Sequence, residues 1–169
     1  WIAAGADGLW RCDDAGRLER ASAEPAHGVV GGPPGTARVV REGRGVFSRD
    51  ASGALRLVFE AADVRGIYDA GGGRAIVRFG DRGLALLDGD RTVVRTSLPQ
   101  DAAEAAPLLD PEGGRIAFAL ASGWLTVLDA ATLETTAGRS CDPGAVPALR
   151  GGTLLDPRET GRLSLVRER

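Results

Sequence analysis

The chain has 169 residues, 23 acidic against 21 basic side chains, and a formal net charge of −2. This length can bury a real core, while the charge balance leaves no basic footprint for nucleic acid and no polybasic arm for a membrane surface. No apolar run approaches the roughly 18 residues of a membrane span, and no secretory leader pattern is visible.

All 21 basic residues are Arg; Lys and Asn are absent. Without Lys the chain has no Schiff-base amine and no phosphate-loop ammonium. Ala, Gly, Arg and Pro, all with GC-rich codons, dominate, which is the usage expected of a high-GC bacterial genome. The chain begins at Trp1 and contains no Met, so it is expected to be a processed or excised piece of a longer protein. Its compartment is open, with the cytoplasm favoured over the periplasm or secretion.

In chain order, the turn "GADG" at 5–8 leads into "GLWRCDDAGRL" at 8–18, and "EGRG" at 42–45 leads into "GVFSRDASGAL" at 45–55. The third unit is the clearest, with strands predicted over residues 64–68, 74–79, 84–88 and 92–96. In the fourth, segment 115–120 places Ile116, Phe118 and Leu120 on one face and Ala117 and Ala119 on the other. Both faces are apolar, so the strand should be covered on both sides. Bounded by Gly-containing turns, it is too short for a helix. A last strand, "RLSLVRE", ends at residue 168.

These units repeat. "DAGGGRAIVRFGDRGLALLD" at 69–88 aligns with "DPEGGRIAFALASGWLTVLD" at 110–129 at an offset of 41: Asp69 with Asp110, Arg74 with Arg115, Val77 with Phe118, Asp88 with Asp129. The closing residues Asp13, Asp50, Asp88 and Asp129 are spaced by 37, 38 and 41, and Arg167 follows a further 38 on. Self-similarity near 40 residues with several short strands per unit is the signature of propeller blades. The outermost strands, "RLERAS" and "TVVRT", are more polar, as an exposed blade edge should be.

The blocks "GGGRAIVRF...LALLDGD" and "DPEGGRIAF...WLTVLDAATLE" resemble the WD-repeat and Tol-type β-propeller superfamily over nearly the whole chain. The Trp-Asp pair of WD repeats is replaced by Cys12-Asp13, Arg49-Asp50, Leu87-Asp88 and Leu128-Asp129, and only Ala26-His27 stands where a Gly-His pair would. The expected fold is all-β, a single segment over 1–169 of four-stranded antiparallel blades at 1–22, 27–60, 63–97, 105–138 and 144–167. The first blade lacks its innermost strand and the last its outermost, an incomplete arc of about four to five blades. Closed propellers have about four to eight, so the end faces should be covered by further blades of the parent protein or by a second copy.

Few motifs carry chemistry. "GGPPGTARVV" at 31–40 is similar to the phosphate loop of AAA-type ATPases through Gly32, Pro33, Pro34, Gly35 and Thr36. The required Gly, Lys and Ser/Thr are instead Ala37, Arg38 and Val39, so a turn between strands is expected. "GGGR" at 71–74 and "GG" at 151–152 read as equivalent hairpin turns. His27 could serve Ser140 or Cys141 as a base, but no nucleophile elbow surrounds either, and one His with two scattered Cys makes no metal site. Cys12 and Cys141 read as two buried thiols, with a bridge between them left open. The carboxylates, among them Asp14, Asp81, Asp90, Asp110 and Glu112, read as turn caps or solvated groups, and no pair is marked for glycoside chemistry. Trp10 and Trp124 fall in third-strand regions and read as packing between blades; Trp1 is exposed or docked.

No catalytic, cofactor or metal residues are therefore assigned. The expected function is a non-enzymatic propeller module that binds protein or peptide, as the scaffold or sensor part of a larger bacterial protein. The alternative is an enzyme or small-ligand propeller whose central-channel site is completed by other blades. The apolar innermost strands "APLLD" and "AVPAL" favour the first. Candidate binding groups are those on the turns between second and third strands, which a propeller gathers on one rim: Asp7, Glu42, Arg44, Asp81, Arg82, Arg158 and Glu159. The bland alternative is that these charges keep the rim soluble. Arg44, Arg82 and Arg158 are the expected anchors for an acidic or polar peptide.

Overall fold

A computed structural model describes residues 2–99, 107–110, 114–120, 122–140, 148–150, 153–159 and 162–167. Every regular element among them is a β-strand, and every strand pairs antiparallel with its neighbour in sequence. The chain forms two compact units, 1–93 and 94–169.

The first unit holds β1 to β3 (Ile2–Gly5, Gly8–Cys12, Leu18–Ser22), β4 to β7 (Gly28–Gly31, Ala37–Arg41, Gly45–Arg49, Leu55–Glu60) and β8 to β11 (Val64–Gly71, Arg74–Phe79, Gly83–Asp88, Arg91–Ser97), whose last strand runs into the second unit. The second unit holds β12 to β15 (Pro107–Asp110, Arg115–Ala119, Trp124–Asp129, Thr135–Ser140) and β16 to β18 (Ala148–Arg150, Thr153–Glu159, Arg162–Arg167). The sheets at the two ends of this order have three strands and the other three have four. Among the described residues the first sheet is β1-β2-β3 and the last β16-β17-β18, each one strand short of the other three. Within the first unit β4 lies against β1 and β8; within the second, β12 lies against β16.

The middle strands are buried on both faces, which is why they read as continuous apolar runs. All five residues of β5 are buried, as are the four central residues of both β9 and β10. Val40, Val46 and Phe59 of one sheet pack with Ile67, Val77 and Leu87 of the next, and the Phe59 and Phe79 rings meet edge to face at 5.1 Å. Each large apolar side chain so buried contributes about 1.5–3 kcal/mol. Leu9, Ala26 and Val39 join the first sheet to the second. In the fourth sheet Ala117 packs with Leu125 and Val127, while Ile116 and Phe118 are fully buried, so both faces of β13 are covered. The fourth strands are more exposed: β11 is exposed at every second residue, with Val93 at 52%, although β7 still sends Phe59 into the core.

Two glycines show how the third strand meets the fourth. Gly8 and Gly45 open β2 and β6 at φ of 126° and 118°. A Cβ there would stand 2.0 Å from the Ser22 carbonyl and 2.1 Å from the Phe59 carbonyl. Each sits beside a register shift in its sheet, between Leu9 and Trp10 and between Val46 and Phe47. A bulge that brings backbone this close needs Gly.

Candidate recognition rim

The antiparallel meander sends its connections alternately to two ends of each sheet. At one end lie the turns from first to second and from third to fourth strand. At the other lie the turns from second to third strand, together with the segments that pass from one sheet to the next.

At the first end the turns are bound by backbone and by local side chains, and exposed charges such as Arg17 and Arg56 stand there too. Segment 32–36 is a turn between β4 and β5, with the Thr36 amide and hydroxyl donating to the Pro33 carbonyl at 2.9 and 2.8 Å. Arg38 is fully buried and donates to the carbonyls of Gly31 at 3.1 Å, Gly73 at 2.6 Å and Gly89. Burial pulls its guanidinium below the ordinary value, and the charges of Asp69 and Asp88 offset part of that. The arginine at the expected phosphate-loop position is therefore spent on the turns of two neighbouring sheets. The closing aspartates act here too. Asp13 accepts from the amides of Ala15 and Arg17, both at 2.9 Å, and Asp129 from Ala131 and Thr132 at 2.8 and 2.9 Å. Asp50 accepts from the Ser52 hydroxyl at 2.6 Å and from the amides of Ser52 and Ala54. These Asx turns explain the regular Asp spacing.

The second end carries the sequence-predicted groups. Asp7, Glu42, Arg44, Asp81 and Arg82 are all exposed, on the turns before β2, β6 and β10. Arg158 and Glu159 are the last residues of β17, before β18; their side chains lie outside the described residues. Connecting segments run against these turns. The Ala26 amide donates to the Gly5 carbonyl at 3.2 Å and the Gly80 amide to the Asp63 carbonyl at 2.8 Å. Arg65 bridges Asp63 at 3.3 Å and Asp81 at 2.9 Å. Asp7 receives Trp10 Nε1 at 3.3 Å on its carboxylate and Arg20 on its carbonyl.

Around turn 42–44 the surface is concave. A depression of about 450 Å³ is lined by Glu24, Pro25, Arg41, Glu42 and Arg44. A second, of about 360 Å³, shares Arg44 and is lined otherwise by groups such as Phe47, Leu57, Ala61 and Ala62. Arg41 was not among the residues expected from sequence. Its side chain is 9% exposed, ion-paired to Glu24, and set with its guanidinium carbon 5.6 Å from the Phe47 ring centre. The available signal was "ARVVR", a strand covered on both faces yet written with an arginine at its rim end.

Other expectations fall as follows. His27 is exposed, and its Nε2 lies 3.0 Å from the Val64 carbonyl, tying the segment before β4 to β8. Trp124 does not pack between sheets: it is 46% exposed and lies over Gly138 of its own sheet, where a Cβ would stand 2.6 Å from its Nε1. Having no side chain, Gly138 leaves the indole a place to lie on the adjacent strand. Asp110 is buried at the end of β12, opposite Arg115, where a solvated turn was expected. Cys12 is buried, with its thiol 3.5 Å from the Asp13 carbonyl; Cys141, Trp1 and Glu112 lie outside the described residues. Among the described residues no three His, Cys, Asp or Glu side chains gather as a metal site, and no helix is long and apolar enough to cross a membrane.

Neither a protein-family model nor a curated protein sequence matches the chain. Solved structures do. BamB from Moraxella catarrhalis is similar over 98% of this chain and 56% of its own, at 22% identity and a TM-score of 0.58. A catalytically inactive virginiamycin B lyase from Staphylococcus aureus, with quinupristin, is similar over 96% of this chain and 63% of its own, at 11% identity and 0.63. A computationally designed protein follows over 99% of this chain and 55% of its own, at 11% identity and 0.65. The chain has the β-propeller fold. At these identities the likeness concerns the propeller fold alone, and the chain spans less than two thirds of each of those proteins.

Proposed function

We propose that the chain is a non-enzymatic protein- or peptide-binding module of a larger bacterial protein, engaging its partner through the rim that carries turns 42–44 and 81–82. One observation carries this reading: exposed charged turns, sheet-to-sheet segments and two open depressions converge at one end of the same sheets, while at the other end Arg38 is buried among carbonyls and the turn aspartates Asp13 and Asp50 are bound to local amides. Groups on loops held by a rigid sheet are well placed for recognition. Further blades, or a second copy of the chain, cover the end sheets in this reading.

The likeness to a lyase favours a second reading, an enzymatic or small-ligand propeller with a site formed by first strands and blades outside this chain. First strand β8 supplies its polar candidates, Arg65, Tyr68 and Asp69.

The rim reading is tested by exchanging charges, Asp81→Arg with Arg82→Asp, which preserves net charge. Affinity for the physiological partner, identified by cross-linking and measured by calorimetry, should fall about tenfold. Binding as tight as that of the parent chain rejects the rim.

A further inference from the structure

Arg41 and Arg44 face one depression from a strand end and the following turn. Burial first, and the charge of Arg44 second, hold the Arg41 guanidinium below its ordinary value. An anion between the two relieves both penalties. Glu24, on the segment between β3 and β4, supplies one, yet its side chain is 61% exposed while that of Arg41 is only 9% exposed. The cation is buried and its carboxylate is largely exposed. Arg41 Nε is buried with no hydrogen-bond partner, and Arg44 has no ion pair among the described residues.

Resting on the rim reading above, we propose that this depression is a carboxylate subsite: it takes an acidic side chain of a partner peptide, with Glu24 as the built-in occupant that the partner displaces. The adjoining depression, sharing Arg44 and lined by Phe47, Leu57, Ala61 and Ala62 with Gly43 and Glu60 beside them, seats an apolar side chain next to it. Leu57 is 44% exposed there, a large apolar group otherwise left in water. Two features select a peptide carboxylate over phosphate. Glu24 and Glu42 in the wall repel a dianion more than a monoanion, and the apolar neighbour has nothing to offer an inorganic ion. The recognised element is an acidic residue beside an apolar one.

The test is an NMR titration of the isotope-labelled chain with acetyl-Glu-Leu-amide, acetyl-Gln-Leu-amide, acetyl-Glu-Gly-amide and inorganic phosphate. The first should give saturable shifts confined to residues 41–47, 57–62 and the segment around Glu24. The Gln dipeptide should give none, and the Glu-Gly dipeptide should bind more weakly. Glu24→Gln should tighten binding about three- to tenfold by removing the internal competitor, and Arg44→Gln should weaken it about tenfold or more. Unchanged affinity in E24Q overturns the proposal, as does phosphate binding at equal affinity. Shifts at 81–82 that spare 41–47 overturn this subsite and leave the rim standing. No saturable shift in parent or E24Q also overturns it, and the rim then rests on the Asp81–Arg82 exchange alone.

Discussion

Arg38 and Arg41 stand on the same strand, β5, three residues apart, and the fold uses them in opposite ways. Arg38 donates through its two terminal nitrogens to carbonyls from Gly31, Gly73 and Gly89, groups that cannot leave, although its Nε, like that of Arg41, is buried without a partner. Arg41 meets a side-chain carboxylate on an exposed segment and an open depression. Both guanidiniums are desolvated, so burial does not separate structure from function here. The exposure and chemistry of the acceptor do. A cation bound to fixed backbone holds two sheets together, whereas a cation bound to a displaceable carboxylate is available for exchange.

The comparison can be broken in three places. The largest effect concerns the apolar interior against which both arginines are judged. Phe118 is fully buried on β13, and Phe118→Ala should lower unfolding free energy by about 3–5 kcal/mol. A loss within about 0.5 kcal/mol in urea denaturation contradicts the register of β13 with β14. Next, Arg38→Met leaves three partly buried carbonyls without their donor and should cost about 2–3 kcal/mol, while Arg44→Gln on the exposed turn should stay within about 0.5 kcal/mol. Equal losses would erase the distinction between the first end and the rim.

The smallest effect is the acid limb of stability. Asp13 is held below the ordinary carboxylate value of 3.8 chiefly by the Arg17 amide, and Asp50 chiefly by the Ser52 hydroxyl. A lowered folded value means that their contribution is complete above the unfolded value and disappears as pH falls through the folded one. Stability should therefore decline below about pH 4, less steeply in Asp13→Asn with Asp50→Asn. Identical acid limbs, followed by circular dichroism, would show that these turn caps do not set the pH response.

Much of the architecture was legible because it is written locally. Strands covered on both faces need continuous apolar runs, so β5, β9, β10 and β13 announce themselves. A tight turn into a bulge needs Gly8 and Gly45, and an Asx turn needs Asp13, Asp50 and Asp129, which together give the repeat of about 40 residues. The exposed turn groups Asp7, Glu42, Arg44, Asp81 and Arg82 follow from the same periodicity. What tertiary structure decided is where the charges inside those runs end up. The pattern in "ARVVR" puts Arg38 and Arg41 on opposite faces and toward opposite ends of β5, but it does not say what meets either guanidinium. Their partners lie far away in sequence: Gly73 and Gly89 for one, Glu24 for the other. Trp124 shows the same limit, since a tryptophan in a third strand suggests a core and only Gly138 on the neighbouring strand gives it a different place to lie. Local backbone chemistry repeats with the chain and can be read from it; the solvation of a single guanidinium or indole depends on non-local neighbours that only the folded sheets bring together.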